Sequence, residues 1–273
     1  MKISLYVVST PIGNLQDLSE RARYALGDVD AILCEDTRVA AKLLQSIGIK
    51  NKLIIYNDHN ATLVIPKIID TIKNEQKVYA LISDAGTPLV SDPGYKLVNA
   101  CIENEISYTH IPGACSVISA LVLSGLPSNR FLFDGFVDEK KFDALSKIDS
   151  TIILFESPHR LVKSLKNMKL YFADRVISIV REITKIFEES IRGDLDYLID
   201  HFEKTNPRGE IVIVISPPTK NIDMKKLQDL DPLIESMLGK ISTKEISEIL
   251  SKYSGVSKNK IYNFILEFHS DKS

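Results

Sequence analysis

The chain has 273 residues, of which 44% are hydrophobic and 26% charged, and this composition excludes a disordered or fibrous protein. Its 34 Lys and Arg residues nearly balance 36 Asp and Glu residues, so a nucleic acid would have to be bound by local patches of charge. The three cysteines lack metal-site spacing and favour reduced thiols. With no apolar run of about 18 residues, we expect a cytoplasmic protein without metal or membrane contact.

Five short apolar runs alternate with helix-length segments in the first half of the chain. They occupy residues 3–8, 29–34, 53–56, 78–82 and 106–111. Short runs that are apolar throughout are typical of strands buried on both faces. Their alternation with helices predicts a mainly parallel sheet covered on both sides. In the first helical segment, Asp17 and Glu20 are expected to form a capping box, with Asp17 as N-cap.

The second half of the chain predicts a sheet of a different kind. Its strand-like runs occupy residues 131–136, 151–155, 175–180, 185–192 and 210–215. Only some of these runs are separated by helices, which favours neighbouring antiparallel strands. After a linker-like segment at 216–221, helical periodicity returns at 241–250 and 260–268. We therefore expect domains at 1–127 and 128–218, followed by a helix-turn-helix-like tail at 219–273.

Two loops rich in Gly and Pro follow predicted strands of the first sheet. One occupies residues 9–14, after the first strand, and the other occupies residues 83–94, after the fourth. Ligands bind at this edge of open α/β sheets, where small residues let them approach the backbone. Neither loop contains GxGxxG or GK[ST], which disfavours a dinucleotide fold and a P-loop. Each loop alone fits an ordinary turn equally well, but the pair favours a ligand pocket.

Three charged clusters also follow predicted strands. Their sequences are Glu-Asp-Thr-Arg at 35–38, Glu-Ser-Pro-His-Arg at 156–160 and Arg-Glu-Ile-Thr-Lys at 181–185. A single cluster of this kind is as often a helix cap with solvated neighbours as a functional site. Three of them can meet at one edge, which favours a functional site. His159 is the one histidine within these clusters, and a structural role for it is the competing interpretation.

These motifs together resemble the tetrapyrrole methylase superfamily and, within it, the 16S rRNA (cytidine-2′-O)-methyltransferases. The resemblance runs through almost the whole chain and includes the tail. The matching segments are 10–15, 35–38, 83–94, 133–136, 156–160, 181–185, 209–210 and 242–262. It implies an α/β protein of two tetrapyrrole-methylase-type domains with a cleft between them, plus a small C-terminal helical tail.

The resemblance further implies S-adenosylmethionine as methyl donor, without a metal, bound in the cleft between the domains. The acceptor would be the 2′-hydroxyl of the decoding-centre cytidine, cytidine 1402, of 16S rRNA in the 30S subunit. The enzyme would be a homodimer. By motif matching, the cofactor would contact Thr10, Pro11, Gly13, Ser83, Asp84, Ala85, Gly86, Thr87, Cys115, Ser116, Phe155, Glu156, Thr184 and Gly209.

The charged clusters supply candidates for catalysis and for RNA binding. A general base for a ribose hydroxyl contributes about 10²–10⁴-fold, and Glu35, Asp36 or Glu156, with His159, would serve. Cations that could hold RNA phosphate are Arg38, Arg160, Arg181, Lys185, Lys258 and Lys260. The tail fits a solvated helical hairpin equally well. The competing functions are a tetrapyrrole C-methyltransferase and a non-catalytic nucleic-acid-binding adaptor.

Overall fold

A computed structural model describes residues 3–218, 229–254 and 258–270, without the side chains of 259, 260 and 267–270. The first of its two sheets is entirely parallel, with strand order β3-β2-β4-β1-β5. Its strands are β1 (Leu5–Val8), β2 (Ala31–Cys34), β3 (Leu53–Ile55), β4 (Tyr79–Leu81) and β5 (Tyr108–Ile111). All five predicted strands of this half are present.

Helices cover both faces of the first sheet. They are α1 (Glu20–Asp28), α2 (Thr37–Ser46), α3 (Ala61–Glu75) and α4 (Tyr95–Glu103). One core joins α1 and α2 to strand residues such as Ile32, and a second core joins α3 and α4 to alternate residues such as Leu33. Successive side chains of a strand point to opposite faces, so strands that are apolar throughout feed both cores.

The strand order creates a crevice between β1 and β4. From β1 the chain runs to β2 on one side, whereas from β4 it runs to β5 on the other. Loops that leave neighbouring strands in opposite directions leave room for a ligand at the carboxyl ends. Here the loops are joined by two hydrogen bonds, from Thr10 N–H to the Gly86 carbonyl (2.8 Å) and from Gly86 N–H to the Thr10 carbonyl (3.1 Å).

The second sheet is mixed, with strand order β6-β7-β10-β8-β9. Its strands are β6 (Phe131–Phe136), β7 (Thr151–Glu156), β8 (Ile177–Arg181), β9 (Glu189–Gly193) and β10 (Ile211–Ile215). β6 and β7 are parallel and every other neighbouring pair is antiparallel, as predicted. One face packs on α6 (Phe142–Ser146), α7 (Leu161–Phe172) and α8 (Leu195–Thr205).

Helix α5 (Ser116–Ser124) joins the two sheets. It follows β5 of the first sheet, but its buried residues Val117, Ala120 and Leu121 lie in one hydrophobic core with residues of the second sheet such as Val180 and Val212. The second sheet is thus covered by its own helices on one face and by α5 on the other. This arrangement confirms the predicted two-sheet α/β fold, while the domain boundary at residue 127 stays a prediction.

Three helices form the described part of the tail. They are α9 (Asp231–Met237), which the sequence analysis did not predict, α10 (Thr243–Ser254) and α11 (Lys258–Ser270). Their core is separate from those of the two sheets and is made of Leu230, Ile234, Ile246, Leu250, Ile261 and Ile265. Residues 219–228 and 255–257 lie outside the described residues, and with them half of the predicted linker and the turn between α10 and α11.

Two local predictions were wrong. The N-cap of α1 is Ser19, whose hydroxyl accepts from Ala22 N–H at 3.2 Å, whereas Asp17 ends a 3₁₀ turn (Leu15–Asp17). A second 3₁₀ turn (Glu139–Lys141) precedes α6. The strand predicted from residue 185 begins at Glu189, because a turn with positive φ at Glu182 (51°) and Thr184 (66°) precedes it.

Within the described ranges, we find no helix with the length and hydropathy of a membrane span.

Candidate active site

A cleft of about 250 Å³ lies between the two sheets, at the carboxyl ends of β1 and β4. Seven of the fourteen predicted cofactor residues line it: Ala85, Gly86, Thr87, Cys115, Ser116, Phe155 and Glu156. Ile12, inside the predicted wall 10–13, lines it as well. Sequence reasoning missed the other lining residues, which are Val90, Ser91, Asp92, Phe136, Ile183, Glu210, Ile211 and Val212. All of them except Ile211 and Val212 lie within the matching segments, and those two belong to the predicted strand at 210–215.

Backbone and small side chains form the wall of the cleft on the first sheet. Gly86 has φ of 78°, which favours glycine, and a Cβ there would lie 3.3 Å from Cγ2 of Ile12. Next to it, the Thr87 hydroxyl donates to the Ala114 carbonyl at 3.0 Å and so ties the loop after β4 to the loop after β5. A ligand in the cleft can therefore approach the backbone of this loop closely.

The remaining predicted contacts from the first sheet lie in a neighbouring cavity. Thr10, Pro11, Gly13 and Asp84 line a space of about 330 Å³ beside α2. Ser83 lines neither cavity; it is buried, and its hydroxyl donates to the Ala85 carbonyl at 3.2 Å. The paired loops thus form a partition, with residues 85–87 facing the cleft and residue 84 facing the second cavity.

Thr184 and Gly209 do not line the cleft but directly adjoin two residues that do, Ile183 and Glu210. A Cβ on Gly209, where φ is 84°, would lie 2.2 Å from Oε1 of Glu182. A Cβ on Gly13 would lie 2.7 Å from Oγ1 of Thr184, so that turn packs directly on the loop after β1. The Thr184 hydroxyl is buried and makes no hydrogen bond within the described structure. The residues after them, 185 and 210, are joined by an ion pair of 3.1 Å.

Asp36 is the N-cap of α2. Its Oδ1 accepts from Arg38 N–H at 2.8 Å, and its Oδ2 lies 2.6 Å from Nη2 of Arg38. The hydrogen bonds from the Arg38 side chain and backbone lower the pKa of Asp36 to about 2. A carboxylate stabilised in this way is a weak base, so the structure gives Asp36 a capping role.

Glu35, next to Asp36, has the opposite character. Partial burial and the nearby carboxylates of Asp92, Asp84 and Asp58 raise its pKa to about 7. Asp92 lines the cleft, and burial also raises the pKa of its carboxyl. Glu35 therefore changes charge near neutral pH at the edge of the sheet where the cleft opens.

Glu156 reaches the cleft but its carboxylate is occupied by other groups. The side chain is 1% exposed. It accepts from the Ser164 hydroxyl at 2.5 Å and from Ser157 N–H at 2.7 Å, and it lies 3.3 Å from Nε of Arg160. His159 in the same cluster is exposed and does not line the cleft. The arrangement makes Glu156 an anchor for the turn before α7.

The predicted RNA-binding cations hold carboxylates of the same chain. Arg181 Nε donates to Glu189 at 2.5 Å, Lys185 Nζ to Glu182 at 2.9 Å, and Lys258 Nζ to Glu248 at 2.7 Å. Arg160 also donates from Nη2 to the Val137 carbonyl at 2.9 Å. Arg38, paired with its N-cap Asp36, is the most exposed of these cations at 85%. The side chain of Lys260 lies outside the described residues.

Metal ligands are not grouped in the part of the chain that the structure describes. There, no three His, Cys, Asp or Glu side chains come together as a metal site. The cleft instead offers hydroxyls, carboxylates and apolar walls, which suit an organic ligand.

Comparison with known proteins gives a family. Residues 4–199 match the family model described as Tetrapyrrole (Corrin/Porphyrin) Methylases. The Ribosomal RNA small subunit methyltransferase I of Rickettsia prowazekii is 43% identical over 97% of this chain and 97% of its own length. The protein of the same name from Mesorhizobium japonicum is 42% identical over 97% of this chain and 92% of its own length.

Two further comparisons concern the length of chain that is matched and the fold. The Thermotoga maritima protein of the same name is 42% identical over 97% of its own length but covers 78% of this chain. Among solved structures, uroporphyrin-III-C-methyltransferase from Thermus thermophilus has a TM-score of 0.56, with 20% identity over 77% of this chain and 93% of its own. The chain therefore belongs to the tetrapyrrole methylase family of methyltransferases and, within it, to the group of ribosomal RNA small subunit methyltransferase I proteins.

Proposed function

We propose that this protein transfers a methyl group from S-adenosylmethionine to the 2′-hydroxyl of the decoding-centre cytidine, cytidine 1402, of 16S rRNA. The observation that carries the proposal is the cleft between the sheets in a chain 42–43% identical, over nearly its full length, to relatives named for small-subunit rRNA methylation. We further infer that it acts as a cytoplasmic homodimer on the 30S subunit.

The residues of the cleft fit a cofactor that is both cationic and aromatic. Asp92 places a carboxylate in the cleft, which suits a positively charged sulfonium and amino group, and Glu156 is part of the wall from the second sheet. Phe155, in edge contact with Phe136 at 5.5 Å, offers an apolar surface for an adenine ring. Bound there, S-adenosylmethionine would supply an activated methyl group. The work left to the protein is alignment of the acceptor and exclusion of water.

Among the carboxylates, Glu35 is the one we assign to proton removal from the ribose hydroxyl. Its pKa of about 7 makes it a stronger base than Asp36, with a pKa of about 2. The Glu156 carboxylate is already engaged by a hydroxyl, an amide and a guanidinium, so it serves better as a fixed wall. We assign RNA phosphate to Arg38, because its side chain is the most exposed of the predicted RNA-binding cations whose side chains the structure describes.

Purified protein, tritiated S-adenosylmethionine and 30S subunits from a strain lacking the corresponding gene test this proposal. Nuclease digestion and mass spectrometry should locate one new methyl group, on the ribose of cytidine 1402. Naked 16S rRNA and a reduced tetrapyrrole are the parallel acceptors. Methylation of the tetrapyrrole alone, a methyl group on the base, or no binding of S-adenosylmethionine would each refute the proposal.

A further inference from the structure

Three polar side chains are linked behind the wall of the cleft. Ser9 Oγ lies 2.9 Å from Thr87 Oγ1 and 3.0 Å from His110 Nε2. They belong to three separate segments: Ser9 follows β1, Thr87 lies in the loop after β4, and His110 is in β5. Ser9 is 3% exposed, and Thr87 lines the cleft.

The direction of these hydrogen bonds follows from the number of protons. The Thr87 hydroxyl has one proton and donates it to the Ala114 carbonyl at 3.0 Å, because a carbonyl can only accept. Thr87 Oγ1 must therefore accept from Ser9, which has no further proton to give. Ser9 Oγ in turn accepts from Nε2–H of His110. The result is one directed chain that runs from His110 through Ser9 and Thr87 to Ala114, in which each hydrogen bond polarises the next.

The chain of hydrogen bonds spans the place where the loops after β4 and β5 meet. Its far end is the carbonyl of Ala114, directly before Cys115 and Ser116, which line the cleft. A Cβ on Gly113 would lie 2.9 Å from Cβ of Ser9, so the loop after β5 is packed tightly on Ser9. The Thr87–Ala114 hydrogen bond joins the two walls directly, and the serine hydroxyl, by donating to Thr87 Oγ1, directs the Thr87 proton toward Ala114.

We propose that Ser9 and His110 are positioning residues, which hold the Thr87 and 114–116 walls at the separation that S-adenosylmethionine requires. Neither side chain lines the cleft, so both act through Thr87. This inference rests on the proposed function, because it names the cofactor that the cleft accepts. Ser9 is the more important of the two, since it is buried and water cannot take its place. His110 has an exposed outer side, where water can replace part of its donation.

The test compares variants by calorimetric titration with S-adenosylmethionine and by steady-state methylation of 30S subunits. Ser9→Ala removes the hydroxyl but keeps the Cβ that packs on Gly113. We expect its Kd and KM for S-adenosylmethionine to rise about fivefold to tenfold, the effect of one buried hydrogen bond, with kcat at saturation within twofold. His110→Leu should raise the Kd and the KM about threefold. In His110→Gln, which keeps a hydrogen-bond donor, both constants should stay within twofold of the wild type.

Ser146→Ala is the control, because that hydroxyl is exposed and bonds only the Asp143 carbonyl, at 2.9 Å. A purely structural role predicts a lower melting temperature for Ser9→Ala with an unchanged Kd, and that result overturns the inference. So does a fall in kcat at unchanged KM. If Ser9→Ala does not fold, His110→Leu decides alone, and an unchanged Kd rejects the proposal. Wild-type protein that fails to bind S-adenosylmethionine refutes the proposed function itself. If the wild type binds and the variants bind with the same Kd, only the positioning role is refuted.

Discussion

Replacement of Glu35 by Gln tests the assignment of the general base most directly. The substitution keeps the size of the side chain and removes its ability to take a proton. General bases contribute about 10²–10⁴-fold, so kcat of Glu35→Gln should fall by about that factor at pH 8. Binding of S-adenosylmethionine should change little, because Glu35 is not part of the cleft lining.

The pH dependence carries the sharper prediction. With a pKa of about 7, Glu35 is about 90% deprotonated at pH 8 and about 10% at pH 6. The wild-type rate should therefore rise about tenfold between these values and then level off. Glu35→Gln should lack this rise. Stability behaves in the opposite sense: the raised pKa favours the folded state below the ordinary pKa of 4.5, and this advantage is lost as pH rises through about 7.

Single-turnover methylation of 30S subunits from pH 5.5 to 8.5 measures both effects, with Glu75→Gln, at the exposed end of α3, as the matched control. Thermal unfolding of the same proteins should show Glu35→Gln more stable than wild type at pH 8 and equal to it at pH 4. A Glu35→Gln variant that keeps the wild-type rate and the same acidic limb would refute the assignment.

Three further perturbations have defined outcomes. Gly209→Ala should destabilise the fold by at least about 1–3 kcal/mol, measured by denaturant unfolding, because φ is 84° and the added Cβ meets Glu182; equal midpoints would contradict this. Asp36→Ala should lower the denaturant midpoint at pH 7 because it removes the N-cap of α2, and since the pKa of Asp36 is lowered to about 2, this difference should disappear as pH falls from 3.8 through 2. Removal of residues 219–273 should leave S-adenosylmethionine binding intact, because the tail has its own core, and should weaken 30S binding at low salt if the tail lysines contact phosphate. Lost cofactor binding would show instead that the tail supports the body.

The strands were predictable because their sequences leave little choice. The ten predicted runs correspond to the ten strands that the structure describes. The reasoning applies most directly to β2 and β10, because a strand buried on both faces must be apolar throughout. Errors arose where the local sequence was compatible with more than one structure. Asp17 and Ser19 are both good N-caps, and the chain uses Ser19. The segment before β9 contains residues with high strand propensity, but positive φ at Glu182 and Thr184 keeps it a turn.

The site was predictable at the level of loops and not of individual contacts. The loops after β1 and β4 were recognised from their glycines and prolines. The sequence could not show that hydrogen bonds between Thr10 and Gly86 make them a partition with different residues on each side. Nor could it rank Glu35 above Asp36, because the raised pKa of Glu35 comes first from its burial and then from Asp92, Asp84 and Asp58, which are distant in sequence.

Helix α5 has a consequence for how the molecule moves. It belongs by connection to the first sheet and by packing to the second, through a shared core that includes Val117, Leu121, Ile153 and Val214. A large apolar interface of this kind resists hinge bending between the two halves. Entry and release of a ligand must then depend on local motion of the loops that line the cleft. Heating should melt both sheets in one cooperative transition, because the second sheet loses the cover of one face when α5 detaches from it.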